Sequence, residues 1–240
     1  MSKYWFKNWF DTEYYHLLYH ERDEHEAEQF MLHLTTFLKL KVGSTILDLP
    51  CGRGRHAIYL NALGYSVTGA DISENSLLYA NPFATENLNF IKHDMRDKLP
   101  MQYNAIFNLF TSFGYFENDS DNIEILKNFK EELTENGVLV IDFLNNKDVE
   151  KNLVRCQTIS KNGIDFYINR SVNAKFIEKH IRFEANGKKH EFVERVRNLG
   201  LTDFKRYFKK AGLQLSHTFG DYNLNPYENE HANRLIMIVR

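Results

Sequence analysis

Between residues 45 and 63 the chain runs from a short apolar stretch into a glycine-rich turn and then into helical patterning. No other feature constrains the fold as tightly. Thr45-Ile46-Leu47-Asp48-Leu49 reads as a buried strand. Pro50-Cys51-Gly52-Arg53-Gly54 is the turn. His56 to Leu63, ended by Gly64, reads as a helix. Strand, turn and helix in that order begin a crossover, and Ser66 to Ala70 supplies its second strand, closing on Asp71. Parallel strands joined this way need helices on both faces, which is why they read as continuous apolar runs.

The alternation continues. Ser73 can cap a short helix through Tyr79. Leu88 to Ile91 is a third strand and Ala105 to Phe110 a fourth. Asn122 to Leu133 is helical, with Ile123, Leu126 and Phe129 on one face. Asn136-Gly137 then turns into a fifth strand, Val138 to Ile141. Upstream, Glu26 to Leu38 carries an amphipathic stripe through Ala27, Phe30, Met31, Leu34, Phe37 and Leu38. After Asp148 the pattern changes. Leu153 to Asn198 is strand-like, and Asn186-Gly187 between Phe183 and Phe192 signals a hairpin, because both turn residues tolerate positive φ. An inserted antiparallel unit of three or four strands is expected there. Thr202 to Ala211 resumes helical patterning, with Thr202 as cap and Gly212 as stop. Leu213 to Phe219 and Leu235 to Val239 give two last strands. The expected organisation is an N-terminal helical cap over 1–40, an α/β core over 41–148 and 200–240, and a β insertion over 149–199.

Bulk properties exclude several classes. At 240 residues and 43% apolar content the chain can bury one large core. No run of about 18 apolar residues is present, so no membrane span is expected. Met1 to Phe10 lacks the apolar region of a secretory signal. A net charge of -2 offers no electrostatic footprint for nucleic acid or membrane surface. Lys188-Lys189, and Lys205-Arg206 with Lys209-Lys210, read as solvated faces. Two cysteines, Cys51 and Cys156, point to no disulfide framework and to a reduced cytoplasm. Ten histidines show no zinc-like spacing, although His16 and His20 stand four apart, so no metal is expected. Aromatic residues at 14% fit either ordinary packing or a ring-lined pocket.

Gly52-x-Gly54-x-x-Ala57 fits the loose fingerprint of adenosine cofactors. A carboxylate at Asp71 can accept from both ribose hydroxyls. Asp48, just before the glycines, separates two cofactor classes. A pyrophosphate wants backbone N–H groups and a helix N-terminus, and a carboxylate there repels it. The aminoacyl ammonium of S-adenosylmethionine instead wants acceptors.

At these residues the chain resembles the class I S-adenosylmethionine-dependent methyltransferases. Leu47 to Ala57 is similar to their first motif, and Val67-Thr68-Gly69-Ala70-Asp71-Ile72-Ser73 to their second. His93-Asp94-Met95-Arg96 is similar to the segment that meets the adenine. Ala105 to Phe116 is similar to the fourth strand and the loop beside the transferred methyl. Leu133 to Leu139 is similar to the turn into strand five. The resemblance implies a Rossmann-like, doubly wound seven-stranded sheet with an antiparallel last strand. It assigns Asp48, Pro50, Gly52 and Gly54 to the aminoacyl side of S-adenosylmethionine. It assigns Asp71 and Ile72 to ribose and adenine, Asp94 and Met95 to adenine, and Asn108 and Phe110 to the sulfonium end. Two positions depart from the pattern. Pro50 stands where glycine is common and has no N–H. Asn108 stands where an acid is common, but still offers an amide oxygen.

Tyr14, Tyr15, Tyr19 and Arg22 recur near helical spacing. They form either a lid or a packed helix. In small-molecule members of the superfamily a Tyr-rich N-terminal helix closes over the methyl site. The expected reaction is in-line displacement by a small-molecule acceptor, driven by proximity and orientation. If a base is needed, the candidates are Tyr15, Tyr19, Tyr115 and His231. Cys51 reads as a small buried thiol. The insertion serves as a lid or as the surface of a homodimer. Two alternatives stay open: an NAD-dependent oxidoreductase using the same loop, and a non-catalytic S-adenosylmethionine-binding module.

Overall fold

The computed structural model describes residues 5–19 and 24–240. Arg22 and His20 lie outside the described residues. Strands β1 (Thr45–Asp48), β2 (Ser66–Asp71), β3 (Leu88–Lys92), β4 (Tyr103–Asn108) and β5 (Leu133–Leu144) alternate with helices α4 (Arg55–Ala62), α5 (Glu74–Ala80) and α6 (Asp119–Glu131). Helix α8 (Leu201–Ala211) precedes β10 (Leu215–Phe219) and β11 (Arg234–Val239). One seven-stranded sheet results, in the order β10-β11-β5-β4-β1-β2-β3. Strand β11 runs antiparallel to both its neighbours, while the β1, β2, β3, β4 and β5 ladders are parallel.

Alternate residues of the central strands feed opposite faces. Leu47, Ile106, Leu139 and Ile141 join one buried cluster, and Ile46, Ala105, Phe107, Val138 and Val140 join the other. Helix α3 (Glu24–Leu38) covers the second cluster with Phe30, Met31 and Leu34. The two-sided burial is what the uninterrupted apolar runs require.

Between β5 and α8 lie a short helix, α7 (Asn146–Lys151), and a second sheet. Strands β6 (Cys156–Lys161), β7 (Ile164–Val172), β8 (Phe176–Ala185) and β9 (Lys188–Arg197) pair antiparallel in chain order. Asn186-Gly187 makes the β8–β9 turn with both φ positive, and Asn162-Gly163 makes the β6–β7 turn the same way. Phe166, Ile168, Ile181 and Phe183 face inward, in one cluster with Trp5, Phe6 and Trp9 of α1 (Trp5–Phe10). Helices α1 and α2 (Glu13–Leu18) therefore rest chiefly on the inserted sheet.

Two local expectations are corrected, and one helix is not anticipated. Asn136-Gly137 is not a turn. It lies within β5, where the register against β4 shifts, and a side chain at Gly137 would press on Leu133. Helix α8 is capped at Gly200, whose N–H donates to Asp203 at 3.1 Å, so Thr202 lies inside the helix. Helix α7 has no apolar stripe to announce it; Asn145 caps it by accepting from the Lys147 N–H. Both cysteines are free, Cys51 buried and Cys156 exposed. No described helix is long and apolar enough to cross a membrane.

Candidate active site

The carboxyl ends of β1, β2 and β4 open into a cavity of about 940 Å³, roofed by α1, α2 and the inserted sheet. Ligands of open α/β sheets bind at this edge. The loop after β1 forms one wall. The Gly52 N–H donates to Asp71 Oδ2 at 2.7 Å, and the Ser73 N–H to Asp71 Oδ1 at 2.8 Å. Each carboxylate oxygen keeps a further lone pair for a ligand hydroxyl. Burial pushes the Asp71 carboxyl up, and the N–H donors of Ser73 and Gly52 pull it back. Gly54 sits at φ 84 as the N-cap of α4 and brings no side chain to that cap.

Asp48 makes good this deficiency. It lies behind the loop, 1% exposed, and accepts the Ala57 N–H in the first turn of α4. Burial, with the charge of Asp71 beside it, pushes its carboxyl up to about 8, against the pull of Arg55. Its Oδ2 has no hydrogen-bond partner among the described residues. Asn108, fully buried at the end of β4, donates Nδ2 to the Leu49 carbonyl at 2.8 Å and leaves Oδ1 without a partner. Two orphaned acceptor oxygens thus lie behind the same wall. Buried acceptors without donors are costly, and a donor such as an ammonium, or water bound to one, is what such oxygens want. These acceptors therefore fit the ammonium of the aminoacyl end of S-adenosylmethionine.

Pro50, Gly52, Asp71, Ile72, Asp94, Met95 and Phe110 all line the cavity, whereas Asp48, Gly54 and Asn108 stand behind its surface. Asp94 already holds Arg96 in a fork, Nε to Oδ1 at 2.9 Å and Nη2 to Oδ2 at 2.5 Å, with Lys7 at 3.7 Å. Burial opposes ionisation of Asp94. The hydrogen bonds and charge of Arg96, with Lys7, outweigh it and hold the carboxyl below its ordinary value.

The opposite half is charged and aromatic. Tyr15, Tyr19 and Tyr115 line it. His231 does not: it lies exposed in the turn before β11, bonded through its backbone to Glu228, so the geometry gives it no role as a base here. The residues missing from the sequence reading are those of the inserted strands. Glu194 Oε1 accepts Trp9 Nε1 at 2.7 Å and the Tyr19 hydroxyl at 2.7 Å. Its Oε2 lies 3.2 Å from Lys179 Nζ, which also donates to the Tyr19 hydroxyl. Burial works against the charge on Glu194, but Lys179, Tyr19 and Trp9 keep its carboxyl low. Glu178 and Arg195 pair at 3.0 Å along the same wall. On the cofactor side, Asp11 accepts from Ser73 Oγ at 2.6 Å and from the Asn75 N–H at 3.0 Å. The segment joining α1 to α2 is thereby tied to the start of α5.

Comparison with known proteins agrees with this geometry. Residues 19–218 match a family described as a methyltransferase domain. The chain is 34% identical over 126 residues to a probable S-adenosyl-L-methionine-dependent methyltransferase TehB of Haemophilus influenzae, a match covering 51% of this chain and 44% of that one. It is 30% identical over 103 residues to a dTDP-3-amino-3,4,6-trideoxy-alpha-D-glucopyranose N,N-dimethyltransferase of Streptomyces venezuelae, covering 41% and 42%. The chain thus spans about half the length, or less, of the curated relatives it matches. An S-adenosylmethionine-dependent methyltransferase structure from Clostridium acetobutylicum superimposes with a TM-score of 0.79 at 18% identity, over 95% of each chain. With the family match running over most of its length, and with the strand order and cofactor loop described above, the chain belongs to the class I S-adenosylmethionine-dependent methyltransferases.

Proposed function

We propose that this chain transfers a methyl group from S-adenosylmethionine to a small-molecule acceptor by in-line displacement. One observation carries the reading: the cofactor loop and the Lys179–Glu194–Tyr19 cluster face each other across a single roofed cavity. Its volume lies in the range of small-molecule sites, about 300–1,000 Å³. A roof of α1, α2 and β8–β9 suits an acceptor small enough to be enclosed.

S-adenosylmethionine supplies a methyl on a cationic leaving group, so no acid is needed for departure. The protein's part is to position and to exclude water. Asp71 holds the ribose side, and Asp48 and Asn108, which stand behind the cavity surface, meet the ammonium through water bound to it. The aromatic roof keeps the acceptor dry, and Lys179, with three donors and two hydrogen-bond or ion-pair partners among the described residues, can donate a further N–H to an acceptor oxygen. The Tyr19 proton is committed to Glu194. The relative from Streptomyces venezuelae methylates an amino sugar nitrogen by its name, and a neutral amine acceptor here would need no base before attack.

Calorimetry with S-adenosylmethionine and with NAD, followed by release of S-adenosylhomocysteine from a panel of small amines and alcohols, tests the reading. Binding of the sulfonium cofactor with turnover supports it. Binding without turnover on any acceptor, including cell extract with isotopically labelled methyl donor, identifies a non-catalytic module. Preference for NAD refutes the cofactor assignment.

A further inference from the structure

The loop after β4 adopts an uncommon backbone. Phe110 and Thr111 hold φ of 58° and 60°. One is bulky and the other β-branched, and neither enters the left-handed region readily. Such conformations persist only when their surroundings hold them.

The surroundings are a buried ion pair. Asp142, fully buried near the end of β5, accepts the Phe110 N–H on Oδ2 at 2.9 Å. Its carbonyl accepts the Thr111 N–H at 2.9 Å. Its Oδ1 takes the Arg234 guanidinium, with Nε at 2.8 Å and Nη2 at 2.7 Å. Arg234 Nη2 also donates to Thr111 Oγ1 at 3.1 Å, and the Tyr222 hydroxyl donates to Asp142 Oδ2 at 3.3 Å. The Phe110 ring is fixed as well. The Arg55 guanidinium lies 4.2 Å from its centre, the His56 ring stacks on it at 5.3 Å, and the Tyr222 ring packs tilted at 5.6 Å. Phe110 and Thr111 line the cavity, whereas Asp142 and Arg234 lie behind it and cannot touch a ligand there.

We propose that Asp142 and Arg234 are positioning residues, a clamp that presents the Phe110–Thr111 backbone to the sulfonium end of the cofactor. The inference rests on the functional reading above, together with the family resemblance that assigns Phe110 to the sulfonium end. Strand β11 brings Arg234 beside Asp142, since Ile236 pairs with Asp142 and Arg234 with Leu144. The antiparallel last strand thus contributes to the methyl site without lining it. Without the clamp, Phe110 and Thr111 would relax to ordinary φ and the loop would leave its place.

The test compares two probes by calorimetry: S-adenosylmethionine, and adenosine, which lacks the sulfonium and aminoacyl ends. In Arg234→Gln, affinity for S-adenosylmethionine should fall about 10- to 100-fold, as expected when one or two residues leave the left-handed region. Adenosine affinity should hold. Asp142→Asn keeps an acceptor for the Phe110 N–H and should show a smaller loss in the same direction, which serves if Arg234→Gln does not fold. Thr111→Gly added to Arg234→Gln should restore part of the affinity, because glycine takes positive φ freely. Equal losses for both probes in both variants would reduce the pair to a general stabiliser and overturn the proposal, as would unchanged affinity or an absent glycine rescue. A wild type that binds adenosine but not S-adenosylmethionine would refute the functional reading instead.

Discussion

The cofactor loop stands on one aromatic ring, and that ring can be tested by its neighbours. Phe90 of β3 pairs with Gly69 of β2. A Cβ built on Gly69 would lie 2.6 and 2.7 Å from Phe90 Cδ1 and Cε1, and 3.1 Å from Cys51 Sγ. A Cβ on Gly54 would lie 2.7 and 2.8 Å from Phe90 Cε1 and Cζ. Carbon contacts are optimal near about 3.5–4.0 Å, so either alanine overlaps the ring by nearly an ångström. The two glycines differ in backbone, for only Gly54 has φ of 84°. Gly69→Ala should therefore destabilise by about 1–3 kcal/mol through overpacking alone. In a Phe90→Ala background that cost should vanish, giving a coupling of about 1–3 kcal/mol. Gly54→Ala should keep about 1–2 kcal/mol of its cost in the same background, the penalty of a left-handed alanine. Urea unfolding of the wild type, the three single variants and the two doubles measures each value. Equal rescue of both alanines would refute the claim that Gly54 is required for its φ. No rescue of Gly69→Ala would refute the claim that Phe90 is what it meets.

Three further outcomes are expected. Asp71→Ala removes the acceptor of two loop N–H groups and of the ribose hydroxyls, so calorimetry should show S-adenosylmethionine binding weakened by about 1–3 kcal/mol; unchanged affinity in a folded variant refutes the assignment. The Asp48 carboxyl rises from 3.8 to about 8 on folding, so its stabilising contribution is complete below pH 4 and is lost as pH climbs through 8. Melting temperature of the ligand-free protein should accordingly decline across that window, and Asp48→Asn should flatten the decline; a parallel decline in the variant removes Asp48 as its origin. Glu194→Gln leaves the Lys179 charge without its carboxylate and loosens Trp9 and Tyr19 together, so the unfolding midpoint in urea should fall while adenosine affinity, set at the other end of the cavity, holds. Loss of adenosine binding would contradict that separation.

The main sheet was legible because burial on two faces leaves little choice of residue. Runs such as Thr45 to Leu49 and Val138 to Ile141 are apolar without alternation, and Gly52, Gly54 and Asp71 punctuate them at crossover spacing. Local signals failed where tertiary packing decided. Asn136-Gly137 has turn chemistry yet lies inside β5, because Gly137 is needed against Leu133. Thr202 is a better cap residue than Gly200 in isolation, but Asp203 reaches back and makes Gly200 sufficient. The cofactor half of the site was legible for the same reason as the sheet, since its residues sit at strand ends. Asp142 and Arg234 were not, for each looks like an interruption of an apolar strand until the antiparallel register sets one beside the other.

The acceptor half was missed for a different reason, and there the sequence holds more than one reading extracts. A two-residue Asn-Gly turn fixes hairpin register, since residues equidistant from it must pair. Counting outward from Asn186-Gly187 sets Glu184 opposite Lys189, Arg182 opposite Glu191, Lys179 opposite Glu194 and Glu178 opposite Arg195, and the structure pairs all four. Each is an opposite-charge pair, the kind that stabilises neighbouring strands. On an exposed ribbon such pairs are worth little. Here the turn places two of them at the cavity, and the Lys179–Glu194 pair also takes up Trp9 and Tyr19 from the roof. The charge at that position therefore cannot be a solubility device alone. It joins the inserted sheet to the N-terminal helices across the cavity from the loop after β1, so on the proposed function a change in the inserted strands during divergence would alter the acceptor side first.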